Sequence, residues 1–120
     1  MIPIASDPST MLFLLLAGHA LADYPLQGQF LAEAKNRHTM LGKVYWPHAL
    51  AAHSLIHGGF VAAITGSAAL GVAEALAHSV TDWMKCEGRF SFNTDQATHI
   101  ACKIAWFALA IAAGPSSQAR

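Results

Sequence analysis

The chain has 120 residues, of which 54% are hydrophobic and only 12% charged, and its seven Lys+Arg balance seven Asp+Glu. That length suits one domain, the charged fraction is well below the roughly 25% usual in soluble domains and points to a membrane, and the balanced charge argues against a nucleic-acid partner. Seven histidines are the anomaly in so apolar a sequence.

Residues 1–10 carry no positive cluster ahead of the first apolar run, so no cleaved signal peptide is expected and this segment should stay. Asp7-Pro8 reads as an N-cap followed by proline at the first helical position, opening a helix over 8–23 that stops where Tyr24-Pro25 disfavours continuation. Such a helix is roughly 24 Å long, slightly short of a hydrocarbon core. Over 26–46 the composition turns polar, with Leu26, Phe30, Leu31 and Ala34 at helical spacing, which predicts an amphipathic interfacial segment. Tyr45-Trp46 resemble an interfacial aromatic belt, and Pro47 opens a second helix over 48–64.

Thr65-Gly66-Ser67 is a short turn into a third helix over 67–85. After the polar loop Glu87-Gly88-Arg89, Asn93 as N-cap with Gln96 three residues on predicts a capping box for a fourth helix over 94–113, stopped by Gly114-Pro115. Cys86 and Cys102 fit neither a zinc pattern nor a disulfide framework and read as free thiols. The expected fold is all-α: a single integral membrane bundle of four short transmembrane helices, with the interfacial segment between helices one and two. No segment reaches about 18 uninterrupted apolar residues, so a soluble four-helix protein is the rival. Ser67 to Ala77 and Ile104 to Ala113, with almost no polar face, favour the membrane.

Four antiparallel spans place the loops at 24–47 and 85–94 on one side, with Lys35, Arg37, Lys43, Lys85 and Arg89, against Arg120 and the terminal amine on the other. The positive-inside rule then puts both polar loops in the cytoplasm and both termini outside it, in a multi-pass protein of a bacterial inner membrane.

One spacing recurs four times: His19/Asp23, His53/His57, His78/Asp82 and Asp95/His99, each one helical turn apart and so on one helix face. In the expected topology all eight fall in the cytoplasmic half. A charge at a helix centre in lipid costs about 2.5–3.5 kcal/mol on insertion scales, an objection that pairing or a metal removes. Neutral imidazole and carboxylate suit zinc, with manganese or iron as alternatives, and eight such groups can hold one or two divalent ions. Two ions would support hydrolysis of a phosphoester or related bond. Glu74, one turn before His78, and Lys85 are the catalytic candidates; Glu74 serves as base or as partner of His78, and Lys85, with Lys35 and Lys103, holds an anionic small-molecule or lipid substrate. The basic residues read equally well as topology signals. His38 and His48 lie off the four-residue step and read as loop or interface residues, and Cys102 as a small buried hydrophobe.

In order, His19-Ala-Leu-Ala-Asp23-Tyr-Pro-Leu-Gln27, Lys35-Asn36, His53-Ser-Leu-Ile-His57, His78-Ser-Val-Thr-Asp82-Trp-Met-Lys85 and Asp95-Gln96-Ala-Thr-His99 resemble the small bacterial and phage membrane proteins of the Domain of Unknown Function 3307 family, over about residues 12–107. The pattern is also similar to a larger group of bacterial inner-membrane proteins described as metal-dependent hydrolases. That resemblance implies the same eight His and Asp residues as the site and supplies no substrate. The leading expectation is therefore a membrane-embedded metal-dependent hydrolase working near the cytoplasmic face. An ion or proton transporter is the first rival, with a central pore in a homo-oligomer as its route through the outer half. A non-enzymatic membrane interaction protein with a structural metal is the second.

Overall fold

The computed structural model describes residues 2–118. It contains five helices, α1 (Pro8–Asp23), α2 (Gly28–Ala34), α3 (Gly42–Thr65), α4 (Ala68–Cys86) and α5 (Phe92–Gln118), and no strand among the described residues. The all-α expectation holds, and α1 has the bounds read from the sequence. Its cap is the expected one: the Asp7 carboxylate accepts from the Thr10 amide at 2.9 Å, with Pro8 behind it. Ser67 likewise caps α4, accepting from the Leu70 amide at 3.2 Å.

The second long helix departs from expectation, starting at Gly42 rather than 48, with Pro47 inside it. The cause is a corner centred on Thr39. Its hydroxyl lies 2.7 Å from the Glu33 carbonyl oxygen and 2.9 Å from that of Asn36, and accepts from the Gly42 amide at 2.8 Å. A Cβ at position 42 would stand 1.6 Å from the Asn36 carbonyl oxygen, so only glycine closes this corner. Pro47 then removes a single helical amide near the start of α3, a loss a long packed helix absorbs. The last helix also begins earlier than expected, because Ser91, not Asn93, caps it by accepting from the Thr94 amide at 3.1 Å. Gln96 makes no capping box; its side chain turns into the bundle. A break does fall at Gly114 (φ 68°), but helix resumes to Gln118, and Arg120 lies outside the described residues.

Within the expected interfacial segment, α2 is one short helix packed on α3, with Ala34 buried and Phe30 exposed, its ring 5.8 Å from that of Tyr45. α3 and α4 form an antiparallel hairpin, which α1 and α5 close into a bundle about 48 Å long. At one end Ile4 donates to the Ala63 carbonyl. At the other, the corner after α2 meets the end of α4, where Arg37 pairs with Glu87 at 2.5 Å and holds that carboxyl below its usual range. Among the described residues one helix, Phe92–Gly114, is long and apolar enough to cross a membrane. α1, at 16 residues, is short for the roughly 20 that a span needs.

The bundle interior changes character along its length. Around Ile4 and the α3–α4 turn it is apolar, built from Met11, Leu15, Val61, Ile64 and Ala110 with Phe60, Leu70 and Phe107 against them. Toward the corner after α2 the same helices bury His19, His53, His57, His78, Asp82, Asp95 and His99. What brings α3 close enough to α4 for this is a pair of glycines: a Cβ on Gly58 would lie 2.5 Å from the Gly71 carbonyl oxygen, and one on Gly71 would lie 2.6 Å from the Ala62 Cβ. Gly59, the next residue, faces open space. Gly71→Ala should therefore push the hairpin apart and lower stability by about 1–3 kcal/mol, whereas Gly59→Ala should be neutral or stabilising by up to about 1 kcal/mol through helix propensity. Chemical denaturation of the two variants checks the contrast, and equal effects would refute the close-packing account.

Candidate metal centre

The four-residue steps place one His/Asp or His/His pair on each of α1, α3, α4 and α5, and the helices turn all four pairs inward. Their ring nitrogens converge on two carboxylates. Asp23 Oδ1 lies 2.8 Å from His57 Nε2, 3.3 Å from His53 Nε2 and 4.0 Å from His78 Nε2. Asp82 Oδ2 lies 3.5 Å from both His53 Nε2 and His78 Nε2, while its Oδ1 lies 3.5 Å from His99 Nε2. Asp95 Oδ1 is 3.2 Å from the same His99 nitrogen. The rings of His57, His78 and His99 stack as a column across α3, α4 and α5, with centroids 3.7 and 4.1 Å apart.

Two sets of donor atoms emerge, each within 4.8 Å of one another: Asp23, His53, His57 and His78 form one, and His78, Asp82 and His99 the other. Many of these atoms are close to a carboxylate yet lie off any hydrogen-bond direction. Both ring nitrogens of His53 and of His78, Nε2 of His99 and Oδ1 of Asp95 are buried without a hydrogen-bond partner. Leaving a buried polar group unsatisfied costs about 1–3 kcal/mol, so a cluster of them fits a cation bound between them. Charge agrees: among the described residues Lys35, Lys85 and Lys103 pair with Asp82, Asp95 and Glu74, while Asp23 faces histidines. The donor set, imidazole with carboxylate, could hold a metal ion.

The remaining polar groups hold these donors in place. Gln96 donates its amide to Asp23 Oδ2 at 2.9 Å, which turns its carbonyl oxygen to His19 Nε2 at 3.0 Å. His19 must then donate from Nε2, so it stands beside the two donor sets and steadies Asp23 through Gln96. Lys35, from the corner after α2, is buried and donates to Asp82 Oδ2 at 2.6 Å and to Gln27 Oε1 at 2.5 Å. Lys85, 32% exposed at the rim, lies 3.8 Å from Asp95 Oδ2. Glu74 lies behind the site, with Oε1 3.5 Å from His78 Nδ1; it accepts from Lys103 and, at 2.5 Å, from the Trp106 indole. That approach to His78 Nδ1 is an ion-pair distance and not a hydrogen bond. Glu74 and Lys103 thus form a buried ion pair behind the donor sets.

His48 is exposed on α3, and His38 is at the surface, where it meets Glu87 at 3.0 Å, so both lie outside the cluster as expected. Cys86 and Cys102 are free and half-buried. Sequence reasoning did not place Gln27, Gln96 or Trp106 at the site. Only the two glutamines carried a signal, as polar residues inside the ordered motifs.

A small opening of about 100 Å³ leads to the cluster, lined by Asp23, Tyr24, Gln27, Lys35, Asp82, Lys85, Phe92, Asp95 and Gln96. An all-α bundle whose helices each carry inward His or Asp residues onto one buried focus defines a helical protein with a candidate metal centre. The family model Protein of unknown function (DUF3307) matches residues 11–120, and the chain belongs to that family. No curated protein and no solved structure matches it.

The Glu74–Lys103 pair generates a direct test. Glu74→Leu or Lys103→Met alone strands one buried charge and should lower stability by roughly 3–5 kcal/mol. The double variant should recover most of that loss. Denaturation of all three reads the coupling, and additive losses would show that the pair does not act as a unit.

Proposed function

We propose that this chain is a membrane-embedded metal-dependent hydrolase acting on a phosphoester or related bond. The observation that carries this reading is the way the donors divide. An imidazole nitrogen binds one ion, so His78 serves one set only. Assigning it to the second leaves two three-residue sets: Asp23, His53 and His57 from α1 and α3, and His78, Asp82 and His99 from α4 and α5. Three protein ligands per ion is the pattern of catalytic sites, which keep a position open. The opening beside Lys35 and Lys85 gives a reactant access to that position. When bound, divalent transition ions supply Lewis acidity to water and to a phosphoryl oxygen. Zinc suits the donors best, with manganese or iron also compatible.

The membrane part of the reading rests on inverted polarity. In the half of the bundle that buries His, Asp and Lys, the outward faces carry exposed Leu55, Leu76, Val80, Ile100 and Ile104. Water-soluble proteins do the reverse. A bilayer around these faces satisfies them, and the lysines and arginines at the site end support a cytoplasmic side for that end. A transport path is less well supported. Beyond the layer of Glu74, Lys103 and Trp106 the interior is the apolar cluster of Met11, Leu15, Val61 and Ile64.

One feature favours a second reading. If His78 completes the first set, Asp23, His53, His57 and His78 form a closed four-ligand site of the structural kind. Stoichiometry separates the two. Elemental analysis of the purified chain should find two transition-metal ions, falling to one in His53→Ala and also to one in His99→Ala. A single ion in wild type, lost in His53→Ala and kept in His99→Ala, would select the structural site, and no bound metal in a folded chain would refute both. Resistance of the membrane-fraction protein to alkaline carbonate extraction checks the bilayer.

A further inference from the structure

From the opening beside the cluster we infer the substrate class: a terminal phosphate monoester, whose phosphoryl group alone enters while its organic part stays outside. This rests on the metal-hydrolase reading, since Asp23, Asp82 and Asp95 line the same cavity and would repel an anion if they were not neutralised.

Size, charge and rim all bear on this. The cavity, about 100 Å³, is far below the roughly 300–1,000 Å³ that takes in a whole drug-sized molecule. It suits a small polyatomic anion on one tether, and a diester would need room for two. Two ammonium groups reach its wall from different elements, Lys35 from the corner after α2 and Lys85 from the end of α4. A phosphate monoester carries close to two negative charges near neutral pH, a diester one. Lys35 Nζ lies 2.6 Å from Asp82 Oδ2, the oxygen that also faces His53 and His78, so a phosphoryl group bound there meets the ammonium and the donor cluster together. At the rim stand two exposed aromatics, Tyr24 and Phe92, with Lys85 Nζ 5.3 Å from the centre of the Phe92 ring. They offer a surface for the part of the molecule left outside.

The reaction balances without an oxidant or reductant. Water adds through oxygen to phosphorus, the bond from phosphorus to the ester oxygen breaks, and the leaving oxygen takes one proton of the water. The products are the free alcohol and inorganic phosphate.

The test uses the full chain in detergent micelles, with its metal content measured in each sample. Inorganic phosphate binding is read by calorimetry. Phosphate release is read from glycerol 3-phosphate, from phosphatidic acid in phosphatidylcholine micelles, and from bis(p-nitrophenyl) phosphate as the diester control. Wild type should bind inorganic phosphate and release it from at least one monoester. Release from phosphatidic acid alone identifies a lipid source, and release from glycerol 3-phosphate a soluble one. Lys85→Met, at the rim and 32% exposed, should weaken phosphate binding roughly tenfold or more with metal content and fold, read by circular dichroism, unchanged. Lys43→Met, exposed on α3 away from the opening, should match wild type. A metal-loaded chain that neither binds inorganic phosphate nor frees it from either monoester overturns this inference and leaves the metal centre standing. Faster cleavage of the diester overturns it too, and a metal-free chain overturns both readings.

Discussion

Burying carboxylates among histidines is the constraint on which the rest of this structure depends. Asp82 and Asp95 are almost wholly removed from water in mid-bundle, Asp23 is 9% exposed, and Glu74 sits a turn deeper. None is tolerable there without compensation. Each helix therefore carries something inward to meet them: imidazoles from α1, α3, α4 and α5, Lys103 and the Trp106 indole from α5, and Lys35 from the corner after α2. Even with these, nitrogens of His53, His78 and His99 stay unpartnered. The fold is incomplete as a set of hydrogen bonds, and these buried His and Asp groups could hold a metal ion.

Several fold features serve that focus. The Gly58–Gly71 approach lets α3 and α4 come close enough for the His57 and His78 rings to stack at 3.7 Å. Gly42 and Thr39 make the corner that aims Lys35 inward. Local backbone geometry thus fixes distances between groups that are far apart in sequence.

Much of this was legible in the sequence because helices are periodic. A step of four residues puts His78 and Asp82 on one face wherever the helix sits, so the pairs could be read without knowing their neighbours. The cap at Asp7 and the stop at Tyr24-Pro25 are short-range and equally readable. Tertiary choices were not. Pro47 resembles a helix start on its own, and only the Thr39 corner, which depends on the Glu33 carbonyl, shows why α3 opens earlier. Gln96 fits a capping box locally, yet the pull of Asp23 and His19, more than seventy residues away, outweighs the cap. Lys35 and Lys103 look like surface or topology residues in one dimension. Their partners, Asp82 and Glu74, lie on another helix.

The division of the interior into an apolar and a polar half bears on how such a centre can be kept. Stability resides in the Met11, Leu15, Val61 and Ile64 cluster, in contacts that need no ion. The candidate metal centre lies around Asp23 and Asp82, beside the opening. Between them, Glu74 joins the two: it touches His78 on one side and is locked by Lys103 and Trp106 on the other. A centre attached to a packed core through one buried ion pair holds its ligands rigidly from behind. Its front, where Lys85 and Phe92 stand at the rim, stays accessible. Support at the back with access at the front is the arrangement in which these buried His and Asp groups could hold a metal ion.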